Sequence, residues 1–409
     1  LRILHIDKFF PPNGGVGSYI RALGQLQRRA GHEVLGFGCV GETGPAQMPR
    51  FFDFASARNP GALARMVHNS QAAAALDKWL KGRPIDVAHL HNTYHHLSPS
   101  ILGVLVRRRI AMVMTVHDYR LACPTKFFLR PDGVCMRCLP NRFYHAASPN
   151  CAGLGGAALA AESLVQRFCR RYFRPVSFFI CPTRFMRDVL VRTGLPRSKA
   201  VVAPNPVEPL ELPRGVVQAG RELLFVGRLM PEKAPGLMLD LAAELPDARI
   251  TIVGDGPLLG ALREEVRRRA MANVELVGAV EHARLGEHYA RATAVVLTSA
   301  WMENSPQAML EAMAAGRCVI VPDHPPLREW VQDGLTGRTF AAGDGGRPAG
   351  GQGVRSLADA ARAVLDDRAG REQMAARGRQ LVLGRHDGQA IARRLDGLYE
   401  EAIRRCALQ

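Results

Sequence analysis

ATAVVLTSAWMENSPQAMLEAMAAGRCVIVPD, residues 292–323, decides the fold class. The apolar runs ATAVVLTSA (292–300) and RCVIVPD (317–323) read as buried strands, and the stretch between them as a helix of about three turns. Strand, helix and strand in so short a span belong to a parallel sheet. Ser305 is a good N-cap and Pro306 a good first helical residue, so the free N–H groups of residues 304–308 should point out of the helix at the sheet's carboxyl edge. Open α/β sheets hold their ligands at that edge. Glu303 lies outside this helix and Glu311 inside it; two acids beside a bound phosphate would repel it unless each met hydroxyl groups.

The same alternation runs outward through the chain. In the first half RILHI (2–6), HEVLGF (32–37), DVAHLH (86–91), AMVMTVHD (111–118) and SFFICPT (177–183) read as strands, with SYIRALGQLQRRAG (18–31) an amphipathic helix. ELLFVGR (222–228), ARITIVGDG (248–256) and NVELVG (273–278) restart the pattern ahead of the two strands already quoted. Two doubly wound sheets follow, and 409 residues suit two domains at about 150 or more residues each. The prolines of APNPVEPLELPRG (203–215) forbid helix and mark a hinge candidate. Domains are expected at 1–205, with a Cys-rich insert at 119–152, and at 206–385; a terminal helix over 386–409 is expected to pack back on the first. AAGDGGRPAGGQG (341–353) reads as a Gly-rich loop.

The formal charge of +17 is placed unevenly. Residues 1–205 hold 28 Lys/Arg against 10 Asp/Glu, and residues 206–409 hold 26 against 27. A basic first half implies an anionic partner: a phosphate-bearing acceptor, a membrane face or nucleic acid. The plainer reading is a solvated, Arg-rich surface. No apolar run reaches the roughly 20 residues that span a bilayer, and LRILHID opens as a buried strand without the basic and apolar regions of a signal peptide. The expected location is the cytoplasm, at the inner face of the membrane if the basic half meets lipid.

FVGRLMPEKAPG (225–236) ends a strand in Gly227-Arg228 and places Lys233 in the loop beyond, two cations suited to a diphosphate. The dipeptide Gly-Lys occurs nowhere, which excludes a Walker P-loop.

Glu303 and Glu311 in Glu-x7-Glu spacing, the upstream Gly-Arg and Lys, Gly-Asp-Gly-Pro at 254–257, the loop Gly14, Gly15, Val16, Gly17 after the first strand and His-Asp-Tyr at His117 together resemble the retaining glycosyltransferases of family 4. The resemblance covers nearly the whole chain and implies the GT-B fold, two Rossmann-like doubly wound domains facing across a cleft. It implies that Arg228 and Lys233 hold the diphosphate of a nucleotide sugar, that Glu303 binds sugar hydroxyls and Glu311 the ribose, and that backbone at Asn304, Ser305, Pro306 and Gln307 caps the distal phosphate. Gly227, Gly254 and Val277 would line the nucleotide, His117 would meet the donor sugar, and the Gly14–Gly17 loop would meet phosphate or acceptor. Catalysis would need no nucleophile, attack coming from the leaving-group side. No Asp-x-Asp is present, so a catalytic metal is not implied. Where the family often has Gly-Gly, this chain has Pro325-Pro326 ahead of Glu329, and no role is carried to Glu329.

Cys123, Cys135, Cys138 and Cys151 contain one C-x-x-C pair and form a candidate four-thiolate structural site for zinc, or for an iron–sulfur cluster, with His145 as a reserve ligand. Free buried thiols are the alternative. QRFCRRYFR (166–174) puts Arg167, Arg170, Arg171 and Arg174 on one helical face, a candidate contact with anionic lipid or a lipid diphosphate. The leading expectation is transfer of a sugar from a nucleotide diphosphate donor to a saccharide, lipid-linked or metabolite acceptor, with no nucleic acid involved. The rivals are a sugar-nucleotide epimerase on the same fold and a non-catalytic protein binding an anionic surface or nucleic acid.

Overall fold

The computed structural model describes residues 1–12, 14–40, 45, 48–50, 60–130, 133–148, 151, 173–207, 210, 212–213, 220–341 and 352–408. Two compact units divide the chain: Leu1–Lys126 with Met136–Pro206 and Asp387–Gln409, and Phe127–Cys135 with Val207–His386.

In the first unit β1 (Arg2–Phe9), β2 (Glu33–Cys39), β3 (Val87–Leu90), β4 (Ala111–Thr115), β7 (Phe178–Cys181) and β8 (Ala200–Val202) form one parallel sheet in the order β2-β1-β3-β4-β7-β8. The two-residue strands β5 (Leu129–Arg130) and β6 (Gly133–Val134) pair as a separate antiparallel hairpin in the other unit. In that second unit β9 (Glu222–Val226), β10 (Arg249–Val253), β11 (Val274–Gly278), β12 (Ala294–Val296), β13 (Cys318–Pro322) and β14 (Arg338–Phe340) form a parallel sheet in the order β11-β10-β9-β12-β13-β14. Strand order reverses between β1 and β3 in one sheet and between β9 and β12 in the other. These are the switch points where α/β sheets open a ligand crevice.

Helices cover both faces of each sheet, so the central strands are buried on both faces rather than alternating. Leu223, Ile250 and Ile252 pack under one helical layer of the second sheet; Leu224, Val295 and Val319 pack under the other. The first sheet buries Ile3, Val113 and Ile180 against Leu23, Leu395 and Tyr399. Leu395 and Tyr399 come from the terminal helix Gly388–Ala407, which packs on β3, β4 and the helix Gly14–Arg29.

The expected insert is divided, since Phe127–Cys135 belongs to the second unit. The expected Gly14–Gly17 loop is instead the first turn of the helix Gly14–Arg29. Glycine is needed there because a Cβ on Gly17 would stand 2.5 Å from the Pro12 carbonyl oxygen. Arg167, Arg170, Arg171 and most of 341–353 and 208–215 lie outside the described residues; Phe173, at the edge of the basic segment, is buried against Tyr94 and Phe179.

Candidate active site

At the second sheet's switch point, the chain leaves β9 through Gly227-Arg228 and leaves β12 through Thr298–Glu303. Gly254, with φ +146°, lies so close to Gly227 that a Cβ on it would stand 1.8 Å from the Gly227 carbonyl oxygen. Gly227 N–H donates to Val253 (3.0 Å) and Leu229 N–H to Asp255 (2.9 Å), which fixes the loop carrying Arg228. The Arg228 guanidinium is exposed and has no partner among the described residues.

Lys233 closes a short 3-10 turn, Pro231–Lys233, and its ammonium pairs directly with the Glu303 carboxylate. Glu303 is 3% exposed and accepts a second hydrogen bond from Ser299 Oγ at 2.5 Å. Burying a carboxylate is tolerable only with such partners. Both sit on Oε1, which leaves Oε2 for a ligand. Thr298 Oγ1 donates to the Lys233 carbonyl (2.7 Å) and Ala300 N–H to the Glu232 carbonyl (3.0 Å), so lysine and glutamate are held by one pair of laced loops.

Trp301 Nε1 and Ser305 Oγ are buried polar atoms without a hydrogen bond among the described residues, and the His324 ring has at most a weak one with the Trp301 backbone. His324 is 3% exposed and feels the Glu303 charge, but burial is the larger influence and keeps its pKa below the usual imidazole value. Buried polar groups in folded proteins are nearly always satisfied, so these orphans point to a polar ligand. The Trp301 ring has Lys233 Nζ 5.6 Å from its centroid on one contact and Phe127 edge-on at 5.3 Å on another.

Helix Gln307–Ala314 begins one residue later than the sequence implies. Pro306, with ψ 113°, is the N-cap, and Ser305 makes no capping bond. The extended ψ of the proline keeps it outside the helix, and Leu310 N–H closes the first turn on the Pro306 carbonyl at 3.2 Å. The free amides are therefore those of Gln307, Ala308 and Met309 rather than 304–308. Asn304 is buried beside them. Glu311 points into the unit; Tyr289 Oη donates to its Oε2 (3.1 Å) and His282 Nε2 lies 3.0 Å from its Oε1. Burial, then the Glu311 charge, hold the Tyr289 hydroxyl well above its ordinary pKa. Val277 is the penultimate residue of β11, whose last residue, Gly278, accepts a hydrogen bond from Gly254 N–H at 2.8 Å.

In the first unit His117 follows β4, its Nε2 3.0 Å from His91 Nδ1, with Tyr19 edge-on at 4.9 Å. Burial pushes its pKa down to about 4, so the ring is neutral. A cavity of about 530 Å³ alongside β1, β2 and the helix Gly14–Arg29 is lined by His5, Asp7, Phe9, Arg21, Arg28 and Trp79. The four cysteines are not gathered: no three of their sulfurs lie within 4.8 Å of one another, and the metal-ligand group that meets that spacing among the described residues is His5, His89 and His91. Cys138 and Cys151 share an apolar cluster with Phe143 and Ala146, and Cys123 Sγ lies 3.2 Å from Thr125 Oγ1.

Residues 13–209 match the glycosyltransferase family 4 pattern and residues 215–381 match that of glycosyl transferases group 1. The chain belongs to glycosyltransferase family 4. This glycosyltransferase is 26% identical over 439 aligned residues to a glycogen synthase of Mycobacterium tuberculosis, covering 99% of this chain and 95% of that one. Its fold matches sucrose-phosphate synthase from Thermosynechococcus elongatus (TM-score 0.73, 18% identity, 98% of each chain). It also matches Anabaena HepE in complex with UDP-glucose (TM-score 0.66, 15% identity, 98% of this chain and 99% of that one). The fold of the glycosyltransferase is GT-B. Among its described residues no helix is long and apolar enough to cross a membrane.

Proposed function

We propose that the enzyme transfers a sugar from a nucleoside diphosphate donor to an acceptor held by the first unit, with retention of anomeric configuration and without a catalytic metal. The observation that carries this reading is the buried Glu303, paired with Lys233 and Ser299 through one oxygen only, with Trp301 Nε1 and Ser305 Oγ buried and without partners among the described residues. Departure of a nucleoside diphosphate places negative charge where Arg228, Lys233 and the amides of Gln307–Met309 stand. Such preorganised cations and amides stabilise a transition state more than a ground state. Glu303 Oε2 would take a sugar hydroxyl and tolerate the oxocarbenium character of the sugar. Glu311, already oriented by Tyr289 and His282, would take the ribose. His324, Trp301 Nε1 and Ser305 would complete the sugar's hydrogen bonds, and His117 would meet the same sugar in the reacting state.

The acceptor would enter the cavity beside Asp7, whose carboxyl burial raises to about 6, under the basic side chains Arg21 and Arg28. The basic excess of the first half favours an anionic or membrane-linked acceptor, used at the cytoplasmic face of a membrane. A panel of nucleotide sugars, starting with UDP-glucose, tests the reading. Acceptor-dependent release of nucleoside diphosphate that persists in EDTA and yields a product with the donor's anomeric configuration is expected. Interconversion of nucleotide sugars without an acceptor would replace it with the epimerase.

A further inference from the structure

The first unit holds a hydrogen-bonded circuit that the proposed reaction leaves unused except at one end. His5 Nε2 lies 2.8 Å from Gln27 Oε1, His5 Nδ1 lies 2.9 Å from His91 Nε2, and His91 Nδ1 lies 3.0 Å from His117 Nε2. A second branch leaves the same amide: Gln27 Nε2 donates to Tyr399 Oη (2.9 Å), Tyr399 Oη lies 2.8 Å from His89 Nδ1, and His89 Nε2 lies 2.7 Å from Thr115 Oγ1. His5, Gln27, His89 and His91 are at most 3% exposed. Their placement comes from sheet register, since His5 and His89 are direct partners across β1 and β3.

In neutral rings each imidazole has one donor and one acceptor, so the amide orders the whole series. Gln27 Oε1 can only accept. His5 must then carry its proton on Nε2 and accept at Nδ1. His91 must donate from Nε2 and accept at Nδ1, and His117 must donate from Nε2, which makes Nδ1 its lone-pair nitrogen. Along the other branch Tyr399 accepts from the amide, which leaves its own O–H able to donate to His89 Nδ1. Because the series ends on an amide oxygen, which takes no proton near neutrality, it orients rings rather than conducting protons. A metal on His5, His89 and His91 would have to displace bonds that already occupy both nitrogens of each ring.

We propose that Gln27 is a positioning residue: through His5 and His91 it holds His117 in the tautomer whose Nδ1 is an acceptor, and sugar transfer depends on that tautomer. The functional half rests on the reading of His117 given above. An Nδ1 lone pair accepts a hydroxyl of the donor sugar, and a neutral ring does not oppose positive charge developing at the anomeric carbon. The reverse tautomer would present an N–H there.

Long-range proton–nitrogen correlation spectra of the ¹⁵N-histidine-labelled full chain read each ring directly. In the wild type, His5, His91 and His117 are all expected as Nε2–H tautomers; Nδ1–H at His117 would overturn the proposal without any variant. Gln27→Met removes both ends of the amide, and His117 is expected to become a mixture of tautomers while kcat falls about 10- to 100-fold, the usual cost of losing a partner that orients a functional imidazole. The Kd for nucleoside diphosphate should stay within about 2-fold, as the donor groups are elsewhere. Tyr399→Phe cuts only the other branch and serves as the control: stability falls, but the His117 tautomer and kcat are retained. An unchanged His117 tautomer in Gln27→Met, or a mixed tautomer with wild-type kcat, overturns the proposal. Wild-type turnover by His117→Ala would instead remove His117 from the reaction, while the Gln27→Met spectrum would still decide whether the amide sets the tautomer.

Discussion

The two switch points solve the same structural problem with opposite electrostatics. In the second sheet a buried carboxylate faces a lysine, and polar atoms near it lack partners among the described residues. In the first, four imidazoles, an amide and hydroxyls share hydrogen bonds in which the rings are neutral, burial lowering the pKa of His5, His89, His91 and His117. The charged crevice is incomplete without a ligand; the neutral one is internally satisfied and presents one ring at its end. A site that must stabilise a departing diphosphate needs fixed charge. A site that must hold a ring beside a developing cation needs geometry more than charge.

Removing the carboxylate should break this contrast most severely. Glu303→Ala is expected to lower kcat by about 10²–10³-fold, the cost typical of losing one group that acts in the transition state, with nucleoside diphosphate affinity changed far less. Single-turnover rates and nucleotide titration measure the two separately. Wild-type turnover would sink the assignment.

Lys233→Met removes the counter-ion instead. Breaking a buried pair from one side costs about 3–5 kcal/mol, and the partial exposure of the lysine should bring the loss to the lower end. Urea unfolding measures it. In a double-mutant cycle Lys233→Met with Glu303→Gln should be less unstable than the sum of the single variants, because no unpaired carboxylate is left.

Acid should strike the first unit's circuit. His5 and His117 titrate near 4 when folded, against about 6.5 in an unfolded chain. Below the unfolded value the unfolded state binds more protons, so stability is full above about pH 6.5 and is lost as pH falls toward 4. For the fully buried His5 the loss is about 1.4 kcal/mol per pH unit inside that window. Asp7 acts with the opposite sign, since its raised folded pKa, about 6, favours the folded state as pH falls from 6 toward 3.8. It offsets one imidazole of the set. Urea midpoints near pH 7.5 and about pH 5 should therefore fall on acidification, and a flat profile would contradict the neutral rings.

Much of the fold was legible because central parallel strands are buried on both faces and read as continuous apolar runs. RILHI lies within an observed strand, and AMVMTVHD and ELLFVGR each contain one. The edge strands β8 and β14 and the hairpin β5–β6 were not, since two or three residues carry no periodicity. At the site, Glu303, Arg228 and Lys233 stood out by residue type and spacing, but the direct Lys233–Glu303 pair did not, because it depends on how two loops lace together. Ser305 misled for a local reason: a serine before a proline resembles a cap, whereas the proline's own extended ψ made it the cap. His324 and Tyr289 gave no signal, being single residues whose meaning lies in what surrounds them. The histidine circuit was hidden further still, as Tyr399 joins it from 310 residues beyond His89.

Arg228 gives the mildest and most selective test of the contrast. Its guanidinium is exposed and makes no bond among the described residues, so no folded-state interaction is lost when it is replaced. Arg228→Met should leave the urea midpoint unchanged and weaken nucleoside diphosphate binding about 10-fold, roughly the worth of one charge-assisted contact to phosphate. Because the contact would strengthen as negative charge grows on the leaving group, kcat should fall by a larger factor than the affinity for intact nucleotide sugar. Equal losses in both would make Arg228 a binding residue only, and would leave Lys233 and the amides of Gln307–Met309 to stabilise the departing phosphate.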